Sequence, residues 1–269
     1  MRSFYLLIGV IVVLFGCKKD DGDLVVPAPV YSLSDLPTEY KPIQNGSAIT
    51  GRLKSEIHIG QLSGEWRYNQ QGNLLEGRRF RSGELMSADQ YYYDATGLLR
   101  FIQHFESPCV YASTYLCSAP VKWSSYDEVD VDNANHILES RTFLNKSGQW
   151  ELRSITNHVY DQNGRPTKLL RYSADRKLAS TQEFTYDGEG NIIKMREINT
   201  NTTPDLADRT YQYTYDKALN PYIGTIHYVS PYFVSRNIQS SPGTTYEYTT
   251  KGYPARIHFN NVVTELTYY

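Results

Sequence analysis

The sequence predicts an all-β protein, a curved antiparallel meander of hairpin repeats preceded by a signal peptide and a flexible tether. Three observations predict it. Aromatic and polar residues alternate before recurrent turns, as in Phe184-Thr185-Tyr186, and a period of two marks a strand with one packed face. A Tyr-Asp-x-x-Gly pattern returns at spacings of 25 positions (Asn69 to Asp94) and 26 positions (Asp161 to Asp187). Tyrosine accounts for 24 of 269 residues, and it favours strands and half-wet surfaces. Helical periodicity is absent from residue 50 onward.

Residues 1–16 read as an export signal. Met1-Arg2 gives a positive start, Phe4 to Phe15 is almost wholly apolar, and Lys18-Lys19-Asp20-Asp21 follows at once. Such a run is too short to cross a bilayer, which takes roughly 20 residues. Leu14-Phe15-Gly16-Cys17 resembles the lipobox of bacterial lipoproteins, with Phe15 bulkier than the usual small residue. The resemblance implies that the Cys17 thiol takes a diacylglycerol and becomes the new N-terminus. Acyl chains such as palmitate each add about 0.8 kcal/mol of membrane affinity per buried methylene. A cleaved signal that leaves Cys17 an ordinary thiol is the rival reading. Lys19-Asp20-Asp21 resembles the signal that sends some lipoproteins of diderm bacteria to the outer face of the outer membrane, and a solvated spacer is the alternative.

Residues 17–46 read as the lipidated Cys and a flexible tether. Pro27, Pro29, Pro37 and Pro42 interrupt the segment, and no period is sustained. A flexible chain of about 25 residues reaches roughly 25–30 Å.

Residues 47–269 read as one repeat domain. Tyr93-Asp94-Ala95-Thr96-Gly97, Tyr160-Asp161-Gln162-Asn163-Gly164 and Tyr186-Asp187-Gly188-Glu189-Gly190 are strong copies of the pattern. Weaker copies are Tyr68-Asn69-Gln70-Gln71-Gly72 and Tyr248-Thr249-Thr250-Lys251-Gly252, with Val131-Asp132-Asn133-Ala134-Asn135 and Asn145-Lys146-Ser147-Gly148 as degenerate forms. The Asp side chain accepts hydrogen bonds from amides further along, which closes a turn. Gly three residues on supplies positive φ, and Asn135 is the next most tolerant residue there. Lesser turn signals fall half-way, at Arg81-Ser82-Gly83-Glu84 and Ser173–Lys177, so each period holds two strands of about ten residues. Residues 222–240 break the alternation and read as a longer connection over one end of the sheet. Final strands follow at about Thr244–Thr249, Ala255–Asn260 and Val263–Tyr269.

The repeat resembles the YD repeats of Rhs-type proteins. Arg209-Thr210-Tyr211-Gln212-Tyr213-Thr214-Tyr215-Asp216 carries the upstream side of that pattern and Asp161-Gln162-Asn163-Gly164-Arg165 the downstream side. At this length the chain is more similar to the small YD-repeat lipoproteins of unknown function in diderm outer membranes. Asp216, Asn220-Pro221-Tyr222 and Ser235-Arg236-Asn237 are similar to a late signature of that group.

Chemistry is sparsely signalled. The net charge is −2 and the pI near 6.3, so no basic excess drives phosphate binding and nucleic acid is not an expected partner. The six histidines are scattered, no phosphate loop or nucleophile elbow appears, and no cofactor is expected. Cys109 and Cys117 form an even pair once Cys17 is lipidated, a candidate disulfide in an oxidising compartment, with free buried thiols as the alternative. Asp127–Asn133 is the densest acidic stretch. It reads as a charged, solvated edge strand, and Asp130 with Asp132 is a weak calcium candidate because the EF-hand spacing fails. Trp66, Tyr91, Tyr93, Tyr211, Tyr213 and Tyr215 are the candidate ligand-stacking rings, with cross-strand ladders as the competing role. These features point to a non-enzymatic lipoprotein, lipid-anchored at the outer membrane and facing the cell surface, that binds or scaffolds a glycan or envelope protein. The alternatives are a glycan-binding accessory lipoprotein and a hydrolase with a carboxylate pair.

Overall fold

The computed structural model describes residues 33–43, 47–108, 119–200, 207–223, 229, 234–240 and 243–269. Cys17, Cys109 and Cys117 lie outside the described residues, as does the predicted signal segment.

The predicted meander is present. Its strands are β1 (Leu53–His58), β2 (Gln61–Tyr68), β3 (Leu74–Arg81), β4 (Glu84–Tyr93), β5 (Leu99–Glu106) and β6 (Lys122–Val131). It continues through β7 (Ile137–Lys146), β8 (Gln149–Tyr160), β9 (Pro166–Ser173), β10 (Leu178–Tyr186), β11 (Ile192–Asn199) and β12 (Asp208–Gln212). After β13 (Tyr215–Leu219) and β14 (Asn237–Gln239) come β15 (Thr244–Tyr248), β16 (Pro254–Phe259) and β17 (Val262–Tyr268). The last three match the predicted final strands to within a residue or two. One sheet of 15 strands runs in the order β12 to β1, then β17, β16 and β15, while β13 and β14 pair separately. All pairings are antiparallel: consecutive strands turn back on one another, and β17 lies against β1 in the same sense.

The repeat motif explains one whole end of the sheet. At the turn after β4, Asp94 Oδ1 accepts from the amides of Thr96 (2.9 Å) and Leu98 (3.1 Å). Asp161 does the same for Asn163 and Arg165, and Asp187 for Glu189 and Asn191. The weak copies obey the rule too, with Asn69 serving Gln71 and Asn73, and Asp132 serving Ala134 and His136. The residue three after each acceptor has positive φ, from +64° at Asn135 to +94° at Gly190. The second carboxylate oxygen is used as well, by Arg100, His136, Arg165 and Asn191 on their respective acids. Burial would raise the Asp94 carboxyl, but its hydrogen bonds from Thr96, Leu98 and Arg100 hold it at about 2.

Tyrosines at or near strand ends act as latches, four of them directly before an Asp and the fifth, Tyr268, without one. Tyr93, Tyr160, Tyr186, Tyr215 and Tyr268 donate their hydroxyls to the carbonyls of Leu74, Ile137, Pro166, Ile192 and Pro254, at 2.7–2.9 Å. Each acceptor is the first residue of the strand that follows the preceding long turn. A register shift at Tyr92/Tyr93, Val159/Tyr160 and Thr185/Tyr186 marks a bulge beside three of the latches, and bulges re-aim side chains. The opposite end carries two-residue turns with both φ values positive, such as Ser82-Gly83 and Ser147-Gly148. Asn145–Gly148, expected as a degenerate long turn, is therefore one of these short turns at the far end. Asn145 Oδ1 accepts from the Gly148 amide there.

The segment between β12 and β15 shows that the sheet is strongly curled. Tyr215 bonds to the Ile192 carbonyl on β11, and Tyr222 bonds to Glu56 on β1. Those strands are ten spacings apart in the sheet order, about 48 Å if the sheet were flat. Seven residues of chain span at most about 25 Å, so the sheet bends to bring both within reach. The other edge is tied to the same segment, because Tyr246 donates to Gln239 O and Tyr248 to Asp216. The sheet stays open, with β12 and β15 at its two edges.

The late signature is what fixes this crossing. Asn191, Asn220, Ser235 and Asn237 are buried and satisfy one another and the backbone. Asn191 Nδ2 donates to Asn237 Oδ1, and Asn237 N donates to Asn191 Oδ1. Asn237 Nδ2 donates to Lys217 O and Ala218 O, Asn220 Nδ2 to Ser235 O, and Ile192 N to Ser235 Oγ. Buried polar groups are tolerated when every member is paired in this way. Tyr222 then joins the main core of Leu53, Trp66, Tyr68, Leu99 and Val129, while Val229 and Val234 pack on Leu169, Phe184 and Ile192.

Two sequence expectations are corrected here. The tether was expected to run to residue 46, yet residues 33–43 lie on the face of the sheet opposite the crossing segment. Leu36 is 4 % exposed and packs with Phe101 and Tyr126. Gln103 Nε2 donates to Pro37 O and Gln90 Nε2 to Lys41 O. Buried Glu76 accepts from Tyr40 Oη, the Ile43 amide and Gln90. Asp127–Asn133 was expected at a sheet edge, yet β6 pairs on both sides, with β5 and β7. Its acids are neutralised by cross-strand partners, Arg141 beside Glu128 and Asp130, and His104 beside Asp127.

Candidate ligand-binding surfaces

The candidate stacking rings divide by position. Trp66 is 1 % and Tyr91 5 % exposed, so neither ring can hold a ligand by its face. Trp66 meets Tyr222 edge-on at 6.5 Å and has the Arg79 guanidinium over its ring at 4.9 Å. It also fills the space above Gly64, where a Cβ would lie 2.6 Å from the indole. Tyr93 and Tyr215 are latches. Tyr211, Tyr213 and Tyr215 were expected on one strand, yet β12 ends at Gln212 and Tyr215 opens β13 in the second sheet. Tyr213 packs with the cluster of Leu169, Phe184 and Ile192. The calcium candidates also have other work, since Asp132 caps its turn and Asp130 faces Arg141.

Rings that the sequence reading passed over form the open aromatic site. Trp123 on β6 and Trp150 on β8 are half-buried, with centroids 4.5 Å apart and planes tilted by 48°. Tyr126 stacks on Phe143 at 4.7 Å behind them. With Tyr40 the two tryptophans line a groove of about 1080 Å³ that also presents Glu39, Glu84, Lys122 and Asn145. Open rings flanked by hydrogen-bonding groups suit a ligand with one apolar face and a polar rim. The missed signal was available only in part. Trp150 sits directly after a short turn, but its proximity to Trp123 depends on the pairing of β6, β7 and β8.

The other face holds a second cavity of about 350 Å³, between β4–β9 and the crossing segment at Val229. His104 dominates its electrostatics. It donates Nδ1–H to Asp89 at 2.6 Å and Nε2–H to Asp127 at 3.2 Å. Burial works against its charge, but the hydrogen bonds and charges of Asp127 and Asp89 prevail and lift the ring to about 10. His158, on the same cavity, has no such partner, and burial pushes it down to about 4. At neutral pH one imidazole is therefore charged and the other neutral.

Comparison with known proteins adds little to this geometry. No family model matches the chain, and no curated protein matches it. Among solved structures, a porin-like protein from Bacteroides uniformis is 10 % identical over 82 % of this chain and 98 % of its own, with a TM-score of 0.43. A DUF3836 family protein from Bacteroides vulgatus is 12 % identical over 33 % of this chain and 99 % of its own, at 0.27. A structure of TcdB2-TccC3-TEV is 13 % identical over 75 % of this chain and 11 % of its own, at 0.33. All three TM-scores lie below the level of a shared fold. Among the described residues, no helix is long and apolar enough to cross a membrane, which says nothing about strands.

Proposed function

We propose that this chain is a non-enzymatic lipoprotein of the bacterial cell envelope, a YD-repeat β domain anchored through Cys17 to the outer membrane and facing the cell surface, where it binds or scaffolds an envelope component. One observation carries the binding-or-scaffold reading. The polar groups of the repeat are consumed by structure, the acids by turn amides and the tyrosines by carbonyls. Repetition of this kind builds a surface rather than a reaction centre.

The groove of Trp123, Trp150 and Tyr40 favours a second reading, glycan binding, as the form that the binding takes. A sugar ring has an apolar face that can lie on an aromatic face while its hydroxyls reach the polar rim. On a glycan array the mature chain is expected to give a hit that Trp150→Ala weakens by at least about tenfold, equivalent to about 1.4 kcal/mol. Trp66→Ala acts on the core instead. Retention of the hit in a Trp123→Ala, Trp150→Ala double variant would remove the groove from consideration. The absence of any hit would leave a protein partner as the better account.

A further inference from the structure

The chain enters the described structure beside the aromatic groove. Leu33 packs on the cluster of Leu36, Phe101 and Tyr126, and Trp123 and Trp150 pack on the same cluster. The docked stretch that begins there then supplies Thr38, Glu39 and Tyr40 to the groove. Directly upstream stand Leu24-Val25-Val26-Pro27-Ala28-Pro29-Val30-Tyr31-Ser32, which lie outside the described residues. This stretch is apolar and carries no charge, unlike residues 18–23 before it. Two prolines one residue apart favour the extended polyproline II helix. Pro29 is four residues from Leu33, at most about 14 Å of chain, so the prolines are held close to the rings.

The groove has the features that such a segment needs. A polyproline II helix makes no internal hydrogen bonds, so its carbonyls are open acceptors, and its prolines seat against aromatic rings. Trp123 and Trp150 present half-buried rings. The Trp150 indole N–H and Asn145 Nδ2 donate to no described residue, and both residues line the groove. The charged groups there, Glu39, Glu84 and Lys122, are exposed and stay in water beside an uncharged occupant.

We propose that residues 25–31 dock in the groove of Trp123, Trp150 and Tyr40 of their own chain, continuing the docked stretch upstream from Leu33. A connection of a few residues holds the segment at an effective concentration of about 1 mM or more, so a contact too weak for a free peptide is enough in cis. An external ligand of the groove then has to displace the segment. The proposal does not need the groove to bind glycans; where glycans bind, the segment competes with them.

The test uses the mature chain with Cys17→Ala, which removes the anchor and keeps the segment, and with isotopically labelled tryptophan. Its three tryptophans give three indole N–H signals. A variant that adds Val26→Ser, Pro27→Gly and Pro29→Gly is expected to shift the Trp123 and Trp150 signals. The signal of buried Trp66 is expected to stay in place, which also reports that the domain remains folded. A synthetic peptide of residues 24–32 is expected to return the two signals of the variant toward the parent positions. On the parent, whose groove is filled, the peptide is expected to act only at about tenfold higher concentration. The proposal is overturned if the variant leaves Trp123 and Trp150 unmoved, or if the peptide does not reverse the shift. It is also overturned if the parent signals change on dilution, because the occupant would then be the segment of a second copy. Neither readout involves a glycan, so failure here leaves the glycan reading standing.

Discussion

Replacing Trp66 by Ala is expected to destabilise the domain by about 3–5 kcal/mol, the range for truncating a large buried aromatic. The indole is fully covered, fills the gap left by Gly64, and carries the contact between β2 and Tyr222 of the crossing segment. Domains of this kind have only about 5–15 kcal/mol of total stability, so the loss is a large share. Urea unfolding monitored by circular dichroism reads it directly. The same residue was a stacking candidate from sequence, and the two roles separate cleanly. A stacking residue would cost binding with the unfolding midpoint unchanged, whereas the buried position requires the midpoint to fall.

The second large effect concerns pH. His104 is lifted from its ordinary value of 6.5 to about 10 in the folded protein. A raised folded value favours the protonated ring in the native state. That stabilisation is complete below pH 6.5 and is lost as pH climbs through 10. His158 has the opposite shift, from 6.5 down to about 4, so its share is complete above pH 6.5 and is lost as pH falls toward 4. Stability is therefore expected to peak near pH 6.5 and to decline on both sides. Each pKa unit corresponds to about 1.4 kcal/mol. Allowing for the 25 % exposure of the His104 side chain, the alkaline decline is on the order of 2–4 kcal/mol. In His104→Gln the decline between pH 7 and 9.5 should vanish, and stability at pH 7 should fall because Asp89 and Asp127 lose the cation between them. Melting temperatures across this range decide the matter, and an unchanged alkaline slope in the variant would show that His104 is not its source. Above pH 10 the buried tyrosines, raised by desolvation at Tyr93 and Tyr160, begin to contribute, so the window must stop short of it.

Much of the fold was legible because its determinants are local. An Asp that serves amides two and four residues on, followed by a residue with positive φ, is contained within five positions, and even the weak copies at Asn69 and Asp132 obey it. The role of the tyrosine before the Asp was not legible, since its acceptor lies about 20 residues earlier and depends on the register. The late signature of Asn220 and Ser235-Arg236-Asn237 could be recognised but not explained, because Asn191, its buried partner, belongs to another turn.

The binding surfaces were less legible for a related reason. Period-two alternation assigns residues to faces but does not say which face meets solvent. Over β2–β5 both faces are covered, one by the crossing segment and one by residues 33–43, so Trp66 and Tyr91 are buried where alternation alone allowed exposure. Docking of residues 33–43 could not be foreseen from their own composition, since the acceptors and donors that hold them are Glu76, Gln90 and Gln103. Asp89, His104 and Asp127 lie on three strands, and only the pairing of β4, β5 and β6 makes them one cluster.

The central claim, a β domain held at the envelope by a lipidated cysteine, is tested most directly by fractionating cells that express the parent chain or Cys17→Ala. The parent is expected in the membrane fraction with incorporated labelled palmitate. The variant is expected in the soluble fraction without label. Membrane association of Cys17→Ala equal to that of the parent, or absence of label from the parent, would contradict the account.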